Sequence, residues 1–304
     1  MSDLKRQSNR GDGASDRARD EELRRIATTM RQLAIAAGAE TLRFFGDKAL
    51  AVTQKSDDSP VTVADHAADA VIVDGLRAAF PDIPLVTEER ADGHAALLGV
   101  GARRFFLIDP LDGTKEFLGG SGEYTVNIAL IEDGVPVLGA VFAPAMDRLF
   151  WTPEPDFAVE EREEVRGDRI EPDRRLWVAT ADNSALRAVA SRSHRDPDTD
   201  AFLARLKVAR IVGAGSSLKI CLVAAGEADL YPRMGPTMAW DTAAAHAVLR
   251  AAGVRLRRLS DQGAVEEALR YGLGQTSGRP FANPFFLAAA PSVVIPPRYD
   301  AAAD

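Results

Sequence analysis

The chain has one cysteine among 304 residues. A lone thiol excludes an intrachain disulfide and any metal site built from several thiolates, and it fits a reducing cytoplasm. Cys221 lies in the apolar run Leu218-Lys219-Ile220-Cys221-Leu222-Val223-Ala224, which reads as a buried core thiol rather than a nucleophile. Long apolar runs are missing too. Nothing approaches the ~20 residues that span a bilayer, and the polar, mixed-charge N-terminus has no hydrophobic segment of the secretory kind. A basic surplus is also absent: 37 Lys+Arg stand against 45 Asp+Glu, a formal charge of −8. That balance argues against polymeric nucleic acid as a partner. It leaves room for a local basic pocket that takes a small phosphorylated ligand. The expected compartment is the cytoplasm, and contact at the periphery of the inner membrane is compatible with it.

What is present is an ordinary globular make-up, 46% hydrophobic and 27% charged. This length buries a full core, as one large domain or two intimate ones. Residues 1–20 are nearly devoid of apolar side chains and read as a disordered tail. From Glu21 the pattern changes: Leu23, Ile26, Met30, Leu33, Ala34, Ala37 and Leu42 recur at helical spacing, with Gly46 as a stop. A polar loop then leads into a second helix that carries Ala68, Val71, Ile72, Leu76 and Ala79 on one face and ends at Pro81. Ile83–Thr87 and Phe105–Ile108 read as strands. Tyr124–Ile131 and Pro136–Phe142 flank Glu132-Asp133-Gly134, a strong hairpin signal. Arg148–Trp151 adds a strand, and the charged stretch 154–174 reads as a linker. Beyond it, strand-like and helix-like segments alternate through residues 186–256, as in an α/β layer. The division expected is an N-terminal α+β subdomain at 21–174 and a C-terminal α/β subdomain at 175–304.

Carboxylates gather at element ends. Asp109 and Asp112 straddle Pro110 after a strand and precede Gly113-Thr114, a turn that can aim two carboxylates and a carbonyl at one hard cation. An acidic loop punctuated by Pro and Gly explains the same letters. Glu88 follows another strand, beside Glu89, where a solvated pair is the plainer reading. Asp65 stands three residues after Thr62, a capping-box spacing, and Asp241 at a helix start serves equally as an N-cap. Acids packed together would repel and raise one another's pKa. A divalent cation would remove that cost and activate water.

The runs Glu88-Glu89, Asp109-Pro110-Leu111-Asp112-Gly113-Thr114 and Trp240-Asp241-Thr242-Ala243-Ala244 resemble, in order and separation, the signature motifs of the inositol monophosphatase superfamily. The likeness narrows to its 3'(2'),5'-bisphosphate nucleotidase branch, of the bacterial sulfate-assimilation type. It rests on Lys55–Thr62, Gly113–Phe117, Gly122–Ile131, Ser191–His194, Gly215–Lys219 and Leu230–Arg233, and covers roughly residues 22–290. The resemblance implies a layered αβαβα sandwich and a Mg²⁺-dependent, Li⁺-sensitive phosphomonoesterase, which takes the 3'-phosphate from adenosine 3',5'-bisphosphate by attack of metal-activated water.

Carried over by residue, Glu88, Asp109, Asp112, Asp241 and the Leu111 carbonyl would hold two or three Mg²⁺, while Asp65 and Thr114 orient and deprotonate the water. The Gly113 and Thr114 amides would hold the phosphate. His194, Ser216, Lys219 and Arg233 would bind the nucleotide and the phosphate that is kept, and Glu88, Leu111, Asp112 and Asp241 would also border the substrate. Without the resemblance, Lys219, Arg233 and His194 read as surface side chains. Two departures stand out: Ala245 where the family has glycine, and a longer segment at Tyr271–Pro280 before Asn283-Pro284. The second bears on substrate choice. Phosphoadenosine phosphosulfate is a further candidate substrate, inositol monophosphate or another sugar phosphate is the alternative, and a non-catalytic nucleotide-binding regulator is the alternative of another class. Monomer and homodimer are both compatible with the sequence.

Overall fold

A computed structural model describes residues 4–47, 52–54, 60–90, 102–163, 169–191, 196–272 and 281–296. The chain opens with helix α1 (Leu4–Leu42), a hairpin of β1 (Val52–Gln54) and β2 (Pro60–Thr62), and helix α2 (Val63–Ala79). Seven strands follow in one sheet, in chain order: β3 (Leu85–Thr87), β4 (Arg104–Asp112), β5 (Thr125–Glu132), β6 (Val135–Ala143), β7 (Arg148–Glu154), β8 (Phe157–Glu163) and β9 (Arg169–Arg175). Among the described pairings of this sheet, β3–β4 is parallel and the others are antiparallel. A short helix α3 (Thr114–Leu118) joins β4 to β5. The β5–β6 hairpin turns on Asp133 (φ 49°) and Gly134 (φ 76°), the two left-handed residues that a tight hairpin requires.

Both faces of this sheet are apolar, because both are covered. Phe106, Ile108, Val126, Ile128 and Leu130 face α1 and α2, meeting Ile26, Met30, Ile72 and Leu76. The alternate residues Phe105, Leu107, Ala129, Ile131 and Val141 face the other way, against the helices of a middle layer. The second sheet is formed by β10 (Leu186–Ser191), β11 (Val208–Ala214), β12 (Leu230–Arg233), β13 (Arg257–Leu259), β14 (Val265–Ala268) and β15 (Phe286–Ala289), in the order β11-β10-β12-β15-β13-β14. Helix α4 (Pro197–Leu203) covers its outer face, where Phe202 and Leu203 meet Leu186, Ala188 and Leu287. Helices α5 (Leu218–Ala224) and α6 (Ala239–Ala251) fill the space between the sheets. The result is the layered αβαβα sandwich. Cys221 lies wholly buried in the middle layer, where burial pushes its thiol pKa up, as befits a core thiol. No helix among the described residues is long and apolar enough to cross a membrane.

Two expectations are corrected. Helix α1 begins at Leu4, so most of the 1–20 stretch expected as a disordered tail is helix. Its side chains from residue 15 to 20 are exposed, and Arg19 among them reaches Glu132. The 154–174 linker is instead β8 and most of β9. Ala158 and Val159 are buried there, and so are Glu160 and Glu161. Glu160 takes a hydrogen bond from Arg148 Nε at 2.6 Å, and Glu161 from Arg31 Nε at 2.8 Å and the Trp151 indole at 2.6 Å. Composition alone shows charge, not the remote cations that let the charge be buried.

The sheets divide between Arg175 and Leu186, yet α6 lies directly on the first sheet. Gly139 of β6 makes that approach possible, since a Cβ there would stand 2.2 Å from the Ala244 carbonyl oxygen. Gly139→Ala should therefore destabilise the fold by about 1–3 kcal/mol, the usual cost of overpacking. Urea denaturation measures this, and an unchanged midpoint would show that α6 has slack.

Candidate active site

The site starts with an irregular strand end. Pro110 lacks an N–H for the ladder, and the β4–β5 register slips between Asp109 and Asp112. The Leu111 N–H turns back to Asp109 Oδ1 at 3.0 Å, fixing a carboxylate that is only 1% exposed. The Leu111 side chain goes into a small cluster with Ala64, Phe117 and Tyr124, so only its main chain is left for a ligand. Gly113 follows at φ 93°, and Thr114 opens α3.

Asp241 meets this turn from α6. The N-cap of α6 is Met238, and Asp241 occupies the third helical position, where its Oδ2 accepts the Met238 N–H at 2.8 Å. Asp109, Asp112 and Asp241 each offer a carboxylate oxygen, and these oxygens lie within 4.8 Å of one another. Burial raises the Asp112 pKa, against the pull of Ser216, Lys219 and Ser217. Burial also holds Asp241 well above the ordinary carboxylate range, with further upward pushes from Asp112 and Glu88. Glu88, half-buried in the single 3₁₀ turn after β3, is thus electrostatically part of the cluster. The donor set is all oxygen, crowded and short of solvent, which fits a hard divalent cation.

Asp65 caps its own helix as the spacing suggested. Thr62 donates to its Oδ2 from both N–H (2.8 Å) and hydroxyl (2.7 Å). Packing of the adjacent Ala64 against Leu111 and Phe117 brings this capped turn beside the β4 end. The cleft above, of about 290 Å³, is lined on one side by Asp112, Gly113, Thr114 and Asp241 and on the other by Ser216, Lys219, Tyr231 and Arg233. Lys219 and Arg233 are not surface charges, being 7% and 8% exposed. Burial lowers the Lys219 pKa to about 8; Asp112 opposes the shift and Arg233 adds to it. Ser216, held at φ 53°, donates its hydroxyl to Asp112 Oδ2 at 2.5 Å. His194 lies outside the described residues, as does most of the longer Tyr271–Pro280 segment.

The sequence reading missed the hydroxyl and amide groups behind Asp112. Ser217 gives its N–H to Asp112 Oδ2 at 2.7 Å and its hydroxyl to Asn127 Oδ1 at 2.8 Å. Thr125 Oγ lies 2.6 Å from Ser216 Oγ and 2.8 Å from Ser217 Oγ. The available signal was two polar residues, Thr125 and Asn127, on one face of an otherwise apolar strand.

The Inositol monophosphatase family model matches residues 22–292. This chain belongs to the inositol monophosphatase family. The 3'(2'),5'-bisphosphate nucleotidase CysQ of Salmonella typhimurium is 45% identical over 226 residues, covering 74% of this chain and 87% of that protein. The Escherichia coli K12 protein of the same name is 44% identical with the same coverage. Among solved structures, CysQ from Bacteroides thetaiotaomicron superposes with a TM-score of 0.72 at 37% identity, over 88% of this chain and 97% of that one. Thermotoga maritima IMPase gives 0.63 at 25% identity, over 85% and 89%. The family is metal-dependent, and the acidic cluster could hold the metal.

The raised pKa values carry a sign. Between the unfolded carboxylate pKa and the higher folded one, the native state binds more protons than the unfolded chain, so metal-free stability falls as pH rises. At pH 7 in EDTA, Asp241→Asn should therefore melt a few degrees above the parent protein. A saturating divalent cation should reverse that order, because an intact acidic cluster gains more from binding than one short of a carboxylate. Calorimetry in both buffers tests this, and a variant less stable in EDTA would contradict it.

Proposed function

We propose that this chain is a Mg²⁺-dependent 3'(2'),5'-bisphosphate nucleotidase, which hydrolyses the 3'-phosphate of adenosine 3',5'-bisphosphate to give AMP and phosphate. The observation that carries the reading is one cleft with an anionic wall, Asp112 and Asp241, facing a buried cationic wall, Lys219 and Arg233. A monophosphate needs only the first wall and its metal. A substrate with two phosphates uses both. The names of the relatives point the same way.

Two or three Mg²⁺ held by Glu88, Asp109, Asp112, Asp241 and the Leu111 carbonyl would neutralise the acids and supply Lewis acidity to phosphate and water. The remaining work is the chain's own. Asp65 and the Thr114 hydroxyl orient the attacking water and deprotonate it together, the Asp65 carboxylate being the final acceptor of the proton, giving direct displacement without a covalent enzyme intermediate. The Gly113 and Thr114 amides hold the phosphate that leaves. Arg233 offers a planar fork of donors and Lys219 a point charge to the phosphate that stays, with Ser216 beside them and His194 assigned to the nucleotide. The lone buried thiol suits the reducing cytoplasm we assign to the enzyme.

Phosphate release with Mg²⁺ should favour adenosine 3',5'-bisphosphate over inositol 1-phosphate and fructose 1,6-bisphosphate by about tenfold or more in kcat/KM, and Li⁺ should inhibit it. A preference for inositol 1-phosphate would move the assignment to a sugar phosphatase. No release from any of them would leave a non-catalytic binder. Asp109→Asn should abolish release while the protein remains folded by circular dichroism.

Lys219→Met should raise KM for the bisphosphate about tenfold or more, the value of a charge-assisted hydrogen bond, and leave KM for 3'-AMP nearly unchanged. Because the Lys219 pKa is about 8, the parent's KM for the bisphosphate should climb as pH passes that value and the cation is lost. The variant's KM should not. Equal KM effects on both substrates would remove Lys219 from recognition.

A further inference from the structure

Asp69 belongs to no motif, yet it braces the segment that carries Glu88. It lies one turn beyond Asp65 on α2, so the two acids project from neighbouring positions of one helix face. Asp69 is 2% exposed. Its Oδ1 accepts the Thr87 hydroxyl at 2.7 Å, and its Oδ2 accepts Arg90 Nε at 2.9 Å and stands 2.7 Å from Arg90 Nη2. Thr87 is the last residue of β3, and Arg90 is the last residue of the 3₁₀ turn. Glu88 and Glu89 are the two residues between them. One carboxylate thus grips both ends of a four-residue segment.

That grip reaches a segment at the edge of the sheet. Strand β3 is an edge strand with three ladder partners, Phe106, Leu107 and Ile108 of β4. A single 3₁₀ turn has poor hydrogen-bond geometry of its own. A second link runs between the same two elements, with His66 Nδ1 on α2 lying 3.8 Å from Glu89 Oε2. Arg90 also decides what Asp69 is. With both guanidinium contacts on Oδ2 and the Thr87 hydroxyl on Oδ1, Asp69 is a neutralised brace rather than another cation ligand.

We propose that Asp69, neutralised by Arg90, is a positioning residue that sets divalent-cation affinity by holding Glu88 in place relative to Asp65 and the Asp109–Asp112–Asp241 cluster. This rests on the reading of Glu88 as a metal ligand. Partners that orient ligating carboxylates typically change metal affinity by about 10–100-fold when removed.

The test is isothermal titration of Mg²⁺ into the full-length parent, Asp69→Ala and Arg90→Gln, with kcat measured at saturating Mg²⁺. Asp69→Ala should weaken Mg²⁺ binding by about 10–100-fold, and Arg90→Gln by a smaller factor in the same direction. In both, kcat at saturating Mg²⁺ should stay within about twofold of the parent. Parent-like Mg²⁺ affinity in Asp69→Ala overturns the proposal while leaving the metal assignment of Glu88 intact. A loss of kcat with unchanged Mg²⁺ affinity overturns it as well. Should Asp69→Ala fail to fold, the half-exposed Arg90→Gln decides alone: unchanged affinity there rejects the brace. A parent that binds no Mg²⁺ defeats the metal reading itself, and this proposal with it.

Discussion

Everything at this site depends on keeping several carboxylates close together in a nearly dry place. Burial and mutual repulsion both oppose it, as the upward shifts of Asp112 and Asp241 show. The chain meets that cost with main-chain donors. Asp65 is held by the Thr62 N–H, Asp109 by the Leu111 N–H, Asp112 by the Ser217 N–H and Asp241 by the Met238 N–H. An N–H fixes a carboxylate without cancelling its charge, whereas a guanidinium does both. Asp69 shows the contrast: its partner is Arg90, and its charge is used up in holding a turn.

The layering makes this concentration possible. The acids come from the end of β4 and the start of α6, and the cations from the start of α5 and the end of β12. Both helices lie in the middle layer, so their N-terminal turns and the two strand ends converge on one cleft. The close seat of α6 on β6 at Gly139 fixes how far Asp241 reaches toward Asp109 and Asp112. Asp109 and Asp112 come from the first sheet and Arg233 from the second, while Asp241 and Lys219 share the layer between them.

Local patterns were legible in the sequence and remote ones were not. The strand before Asp109, the Asp133-Gly134 hairpin, the Thr62–Asp65 box and the helix at Trp240 all declare themselves within a few residues. The motif resemblance named the acids before any geometry was known. What escaped depends on partners far along the chain. Strand β8 hides its glutamates behind Arg31 and Arg148. Asp69 is paired across 18 and 21 residues, and Ser217 with Asp112 across 105. Helix α1 runs into the expected tail without apolar periodicity there, and Arg19 in that stretch pairs with Glu132. Burial of Lys219 and Arg233 was equally invisible, since a cation in a polar motif looks the same whether solvated or enclosed.

Those two cations complete the physical picture. Burial, with a smaller push from Arg233, lowers the Lys219 pKa to about 8. Asp112 is the opposing influence, drawn on by both walls of the cleft. The acidic pair Asp112 and Asp241 and the basic pair Lys219 and Arg233 line one cleft. Ser216 and Ser217 occupy Asp112 with a hydroxyl and an N–H, and Lys219 Nζ donates to the Ala214 carbonyl at 3.4 Å. A substrate with two phosphates can draw on both walls of the cleft, and one with a single phosphate on only one of them.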